Sequence, residues 1–600
     1  MSCAGLSLHG ASALETDYRL DGLSTVDPAF GTHALPLHSG FLSDIDLSWS
    51  GMDARSGSAT GARIDAMSTP TYFKRFSGSA FISWTPGALE GTRESLGDGD
   101  VGPRMMSLEN LGDLGGTFTG PIIPKRLAVF LGVAPTLSRA RISSASSPFR
   151  DQRGVQAVAR LTLKPKDLPG HLDLAFITAP TEASRPASVH STTSRTSLAF
   201  TNDSGATRFQ VKVGWLQRKG DMEALLDAQA APPPTDAPWS SPSFSTDRFQ
   251  ASAQVERRLT LVGRHRLSAG LDAEALRYAH ATSPLDTGAA VPGPEVRTHG
   301  SVLGAYVQDS WEPAWYFLPD VTVGVRYDAQ RVLPSEGGPS MHLGEQVSPR
   351  LELVFAEPLP WFASRLVARY GSTVSLLPLS LVERAKENPS ALVAPTSHDF
   401  LLSLQLLVGP SRSKLSMTYL HRRLEAPLDG LLRNPGARAT GRGYDGLTVV
   451  LQEESGFESF RFYLSYTRSR LTEKGTGRVR APVAQPTLLD AAVSDRPDSL
   501  KLYVLRDFSA FHSWRPVLSV SYLGESGAWM EGAPKRLRSV HTVDVSATLW
   551  RLVDHTGLLT LGLDVSNVFN FQAVTRTDAT GAPAAYQPPR QLRFQARYAF

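Results

Sequence analysis

Cysteine is almost missing from the 600 residues, and Cys3 stands alone. A disulfide framework and a cysteine-based zinc site are both excluded by that count. No run of 18 or more apolar residues occurs, so no candidate transmembrane helix exists. The opening residues, MSCAGLSLHG, lack the basic start and apolar core of an export signal. An excess of one charge is missing too: 61 basic residues face 57 acidic ones, which gives no electrostatic footprint for nucleic acid. The 14 histidines show no H-E-x-x-H spacing, and neither a Walker loop nor a G-x-S-x-G elbow is present. No enzyme is therefore expected, and no metal or cofactor. Nor is there a linker between globular units, because the 50 glycines and 42 prolines are spread along the whole length. One large closed sheet accounts for the length more simply than several domains.

What is present is alternation. In Gln591–Phe600 (QLRFQARYAF), Leu592, Phe594, Ala596, Tyr598 and Phe600 share one face, and Gln591, Arg593, Gln595 and Arg597 share the other. A strand of this pattern closing on an aromatic looks like the end of an outer-membrane β-barrel. In such proteins Phe594, Tyr598 and Phe600 would form the signal read by the barrel-insertion machinery. Four further segments alternate clearly, around Val543–Leu549, Phe460–Tyr466, Val321–Tyr327 and Phe209–Trp215. Candidate strands begin near residues 76, 109, 125, 154, 171, 192, 206, 247, 265, 299, 320, 347, 363, 398, 413, 443, 458, 499, 515, 541, 558 and 591, an even twenty-two. Their connections alternate short (Pro121–Pro124, Pro165–Gly170, Gly409–Arg412) and long (218–246, 372–397, 422–442, 470–498, 571–590). Short turns on one side and long loops on the other mark a transmembrane barrel. The long loops, such as 228–241 (AQAAPPPTDAPWSS), are expected to bury little apolar area and to be mobile. Trp84, Trp215, Trp311, Trp315, Trp514 and Trp550 recur near strand ends, as in an interfacial girdle.

Residues 1–70 differ, being small, polar and Gly-rich. Here Tyr18-Arg19-Leu20-Asp21-Gly22, Asp27-Pro28 and Gly31 resemble the plug motif of TonB-dependent receptors, in the Oar-like branch. Phe41–Leu47 resembles the plug's next strand, and the stretch from Gly51 to Asp65, with Gly57 and Gly61, resembles its Gly-rich segment. Further short matches follow in family order: Gly120-Pro121-Ile122, Tyr306-Val307-Gln308-Asp309, Val325-Arg326-Tyr327-Asp328, Ser348-Pro349-Arg350 and Asn567-Val568-Phe569-Asn570. Two departures stand out. Arg55-Ser56-Gly57-Ser58 replaces a Glu-Tyr-Gly-Arg run, so the carboxylate and arginine expected to lock the plug are not in place. The first half of the plug, the TonB box and the export signal have no counterpart, which leaves a TonB complex without a visible handle.

The resemblance implies an all-β fold, a 22-stranded antiparallel transmembrane β-barrel over 71–600 with a partial plug over 1–70. It implies a monomer in the lipid of the cell outer membrane that moves a large ligand by loop capture and plug movement. The plug-motif residues are Tyr18, Asp21, Gly22, Asp27, Pro28, Gly57 and Gly61. The absent export signal is expected to mean an upstream start or a truncated remnant. A remnant would be a passive pore or a structural barrel. A soluble β-rich binding protein is the remaining alternative, and an outward apolar band argues against it.

Overall fold

In a computed structural model the described residues are 6–50, 53–57, 59–94, 106–142, 149–166, 169–184, 187–203, 205–224, 243–281, 295–315, 317–335, 338–357, 364–385, 392–408, 413–433, 441–453, 460–473, 495–508, 513–530, 535–553, 557–577, 581 and 583–600. Cys3, Ser58 and the stretch 228–241 lie outside them.

Twenty-two antiparallel strands form one closed barrel. Every expected strand is present, starting within about six residues of its expected position. Closure is made by the terminal strand Gln591–Ala599, which pairs with the first barrel strand, Ser77–Pro86, through Phe594↔Trp84, Ala596↔Ile82 and Tyr598↔Ala80. The carbonyl of Phe600 accepts from Gly78 N, and Phe600 N donates to Gly78 O, both at 3.0 Å. In lipid no water satisfies an open edge, so pairing the two ends of the sheet completes its hydrogen bonding. Phe594, Tyr598 and Phe600 are exposed on the outer face, as are Trp84, Trp215 and Trp315. Alternate residues such as Arg593 and Phe81 turn inward.

Residues 17–68 build a second, four-stranded sheet. Its strands are β1 (Asp17–Leu20), β2 (Leu23–Ser24), β3 (Leu42–Ser48) and β4 (Arg63–Ser68), in the order β2-β1-β4-β3. β1 runs parallel to β4, and the other two pairs are antiparallel. The sheet lies in the barrel lumen. Side chains from strands all round the wall reach it: Phe81 stacks on His38 at 4.3 Å, Gln250 bonds the backbone of Ser24, Gln308 accepts from Ala54 N, and Arg422 donates to Trp49 O. A barrel of this strand number is too wide for its own side chains to fill, so a plugged lumen is the physical expectation.

The described parts of the long connections 372–397 and 422–442 are packed, against the expectation of mobile loops. They carry two short helices, α1 (Leu379–Arg384) and α2 (Leu428–Arg433), which turn into the lumen. Leu377, Leu379, Leu381, Val382 and Leu428 are fully buried against Leu14, Ala29 and Phe30. The run Leu376-Leu377-Pro378-Leu379-Ser380-Leu381-Val382 is far more apolar than the stretch 228–241, and that apolar content drives it inward.

Candidate functional site: the lumen segment and its loop lid

Most motif residues of the lumen segment have a local structural cause. Asp21 and Gly22 both take positive φ, 52° and 82°. They form a two-residue turn between the paired Leu20 and Leu23. Asp21 Oδ1 and Oδ2 accept from Ser68 N and Oγ at 2.9 and 2.8 Å, which ties the turn to β4. The conformation at Gly22 favours glycine, and a side chain there would also displace Lys212 Nζ. Tyr18 lies on buried β1, packs its ring at a tilt against His33 at 4.8 Å, and its hydroxyl accepts from Leu6 N at 2.6 Å. Asp27 closes the following turn by accepting from Ala29 N and Phe30 N at 2.8 and 3.3 Å. Its second oxygen takes Arg218 Nη1 at 3.1 Å. Gly61 N donates to Glu15 O at 2.9 Å, and Gly57 leaves the space that Arg326 fills.

The wall grips this segment mainly with cations directed at backbone carbonyls. Arg195 Nη2 donates to Leu20 O (2.7 Å), Lys212 Nζ to Asp21 O (2.8 Å) and Arg248 Nη1 to Val26 O (3.1 Å). Arg326 Nη1 reaches Ala54 O at 3.4 Å, and Arg350 Nη2 reaches Ser56 O at 3.3 Å. A charged donor strengthens a bond to a neutral carbonyl, and the low-dielectric lumen strengthens it further. Several of these cations also have a wall carboxylate: Arg248 with Glu274, Arg326 with Asp328 and Asp272, Arg422 with Asp399. The segment 53–57 therefore has a lock despite its departure from the family run. Arg55 pairs with Asp53 at 2.9 Å and approaches Glu256 at 3.8 Å, while Gln308, Arg326 and Arg350 hold Ala54 and Ser56. Sequence reasoning missed these wall groups. Alternation put Arg326 and Asp328 on the lumen face but could not tell protein from water there.

On the long-loop side a lid closes over the segment. Leu379 N donates to Pro28 O at 2.9 Å, and Ser380 donates to Ala29 O through N (3.1 Å) and Oγ (2.6 Å). Leu428 N donates to Glu15 Oε1 at 3.1 Å, and Ser12 N donates to Glu15 Oε2 at 2.6 Å. Burial, with Asp429 nearby, pushes the Glu15 carboxyl above its ordinary pKa. Arg442 Nη2 meets Asp429 at 2.8 Å and Nη1 meets Gly10 O at 3.3 Å, so α2 is tied to both wall and segment.

On the short-turn side the segment borders a cavity of about 900 Å³ lined by Arg19, Asp46, Arg63, Asp65, Arg208 and Asp272 among others. Lumen coverage is uneven. Wall residues such as Arg195, Arg350 and Arg422 are buried by the segment, whereas Lys501, Arg593 and Arg597 stay exposed. No group of three or more metal-ligating side chains occurs among the described residues.

A family model described as "TonB dependent receptor-like, beta-barrel" matches residues 147–568. The TonB-dependent transporter Oar of Myxococcus xanthus is 24% identical over an alignment 891 positions long, covering 99% of this chain and 83% of that protein. Two solved structures share the fold: the outer membrane transporter YddB from Escherichia coli (TM-score 0.71, 13% identity, 99% of this chain and 91% of that one) and the ferric citrate transporter FecA in its unliganded form (TM-score 0.72, 12% identity, 99% and 90%). The short-turn side of the barrel is thus the periplasmic side and the lid side is extracellular. The chain belongs to the TonB-dependent receptor-like β-barrel family of the cell outer membrane.

Proposed function

We propose that the protein is a monomeric outer-membrane transporter, with residues 1–70 as its plug and 71–600 as its barrel. The loops that carry α1 and α2 capture a large ligand and pass its binding on to the plug. One observation carries this reading: the extracellular loops are hydrogen-bonded directly to the lumen segment, at Pro28 and Ala29 through α1 and at Glu15 through α2. A ligand that lifts α1 removes three donors from those two carbonyls and uncovers Phe30. The segment below then loses one of its two anchorages, and the wall cations hold the other. TonB, from which the family takes its name, would act on the plug from the periplasm. The relative named as the TonB-dependent transporter Oar supports a transport role. The test is limited proteolysis of the long loops in outer-membrane vesicles with candidate ligands. Ligand-dependent protection supports capture, and equal cleavage with and without every ligand refutes it.

A second reading, a passive pore, has its own observation. Lys501, Arg593 and Arg597 line a sector of the lumen that the segment leaves uncovered. Steady conductance in planar bilayers without any partner favours the pore, and an electrically closed barrel favours the gated transporter.

A further inference from the structure

The outer face of the barrel is uneven where the strands Ser243–Leu261, Gly263–Ala281, Glu295–Glu312 and Asp320–Leu333 run side by side. Outward positions alternate there between small and large residues. Ala253 and Ala305 flank Leu271 across the sheet, and Ala269 lies between Val255 and Val307. The three alanines floor an open apolar groove of about 590 Å³, a volume typical of small-molecule sites, with Phe209, Tyr327 and Val347 at its rim. Leu271 and Val347 stand up beside the floor, 60% and 61% exposed.

Depth in the membrane follows from the same strands. Trp311, stacked on His265 at 6.0 Å, marks the periplasmic girdle. Val307 is four residues farther in than Trp311, and Leu271 is six beyond His265. At about 3.4 Å per residue and a tilt near 40°, the groove starts roughly 10 Å above the girdle and ends near the bilayer midplane. Tails of periplasmic-leaflet lipids reach this depth. Arg257 lies two residues from Val255 toward the periplasm, on the same outward side, and is exposed. Its neighbours across the sheet are Thr207 and Leu267, and no ion pair reaches it among the described residues. The outward carboxylate of Asp309, two strands away, is held by His265 at 2.8 Å. Hydrocarbon gains no hydrophobic energy by leaving the bilayer for an apolar groove, so a charged group must supply the hold.

We propose that the groove and Arg257 together hold one phospholipid of the periplasmic leaflet, its tail on the alanine floor and its phosphate on the guanidinium. The tail site lies deeper than the cation, which is the order in which such a lipid presents its parts. A guanidinium meets two phosphate oxygens at once, and its long stem carries it toward head-group level. A second copy of the chain fits less well. An isologous dimer on this face would bring the same patch opposite, and the groove holds no carboxylate for a buried Arg257. The site is built from the barrel wall alone and stands whichever cargo crosses the membrane.

The experiment titrates the intact protein in detergent micelles with phosphatidylglycerol that carries a photoreactive diazirine at one tail end. After illumination, mass spectrometry of a digest maps the labelled residues. Labelling is expected to concentrate at Ala253, Ala269 and Ala305. Arg257→Gln should lower it roughly fivefold, the worth of one cation near a lipid surface. Ala305→Phe fills the groove and should lower it with Arg257 in place. Weak labelling at the outward Leu447, on the far wall, should stay the same in both variants and reports an intact barrel. A diacylglycerol with the same diazirine, which lacks the phosphate, should label Leu447 and the alanines alike. Even labelling by the phosphatidylglycerol, groove labelling indifferent to Arg257→Gln, or alanines left unlabelled because a second copy covers them would each overturn the proposal.

Discussion

The lid can be opened from one buried methyl cluster, and the plug should respond. Leu381 of α1 is fully buried in the cluster that holds Leu14, Phe30 and Leu428. Leu381→Ala removes that packing and leaves a cavity, which costs about 2–5 kcal/mol. At about 1.4 kcal/mol per factor of ten, a loss near 3 kcal/mol raises opening of the lid roughly a hundredfold. When α1 lifts, Pro28 O and Ala29 O lose Leu379 N, Ser380 N and Ser380 Oγ together. The turn they belong to is held by Asp27 N→Thr32 O, Gly31 N→Asp27 O and Ala34 N→Thr25 O at 2.8, 2.9 and 3.0 Å. Hydrogen exchange of the purified protein should therefore quicken at Asp27, Gly31 and Ala34 as well as at Ala385, whose N–H bonds Leu381 O. Leu303→Ala, on the outer face of the barrel, is the control and should leave all four amides unchanged. Faster exchange confined to α1, with the turn unaffected, would refute the coupling.

Other consequences concern the grip, the pH response and closure. Burial holds the His33 imidazole pKa down at about 4. The unfolded chain takes that proton at the ordinary value, so stability is full above about pH 6.5 and is lost as pH falls toward 4, by up to roughly 3 kcal/mol. Thermal unfolding between pH 7 and 4 checks this, and His33→Phe, which keeps the ring on Tyr18, should flatten the dependence. Arg422 meets Asp399 through Nε and Nη2 at 2.9 and 2.7 Å with both groups buried. Arg422→Ala strands that carboxylate and should cost about 3–5 kcal/mol, while Arg422→Leu/Asp399→Leu should cost less, as thermal unfolding will show. Deleting Gln591–Phe600 exposes two sheet edges and should abolish insertion, read as loss of the protein from outer-membrane fractions.

The barrel was legible because alternation is a local signal, strict in a few strands and looser in the rest, and the short and long connections follow one another in step with it. Where it slipped, the cause is local too. The strand expected near 347 begins at Met341. Gly344 takes a φ of 64°, and the register to the preceding strand shifts between Asp328 and Gln330, so the alternation changes phase there. The turn at Asp21-Gly22 was legible too, since two successive residues of positive φ call for particular residue types. The grip was not legible. Arg195, Lys212 and Arg350 sit at ordinary inward positions, and only the folded segment turns a solvated charge into a carbonyl anchor. The lid was missed for a different reason: 372–397 was judged by loop position, although its run of leucines is apolar enough to seek the interior. The departure at Arg55-Ser56-Gly57 was visible, but its remedy lay on distant strands, at Gln308, Arg326 and Arg350.

The central claim is that the N-terminal segment sits inside the barrel against a defined wall. A Cβ built at Gly324 lies 2.9 Å from Ala54 Cβ, within about an ångström of disulfide geometry. Mild oxidation of Ala54→Cys/Gly324→Cys, in a Cys3→Ser background in outer-membrane vesicles, should link the two peptides, as mass spectrometry of a digest would report. Free thiols at both positions, open to maleimide and never linked, would contradict the account.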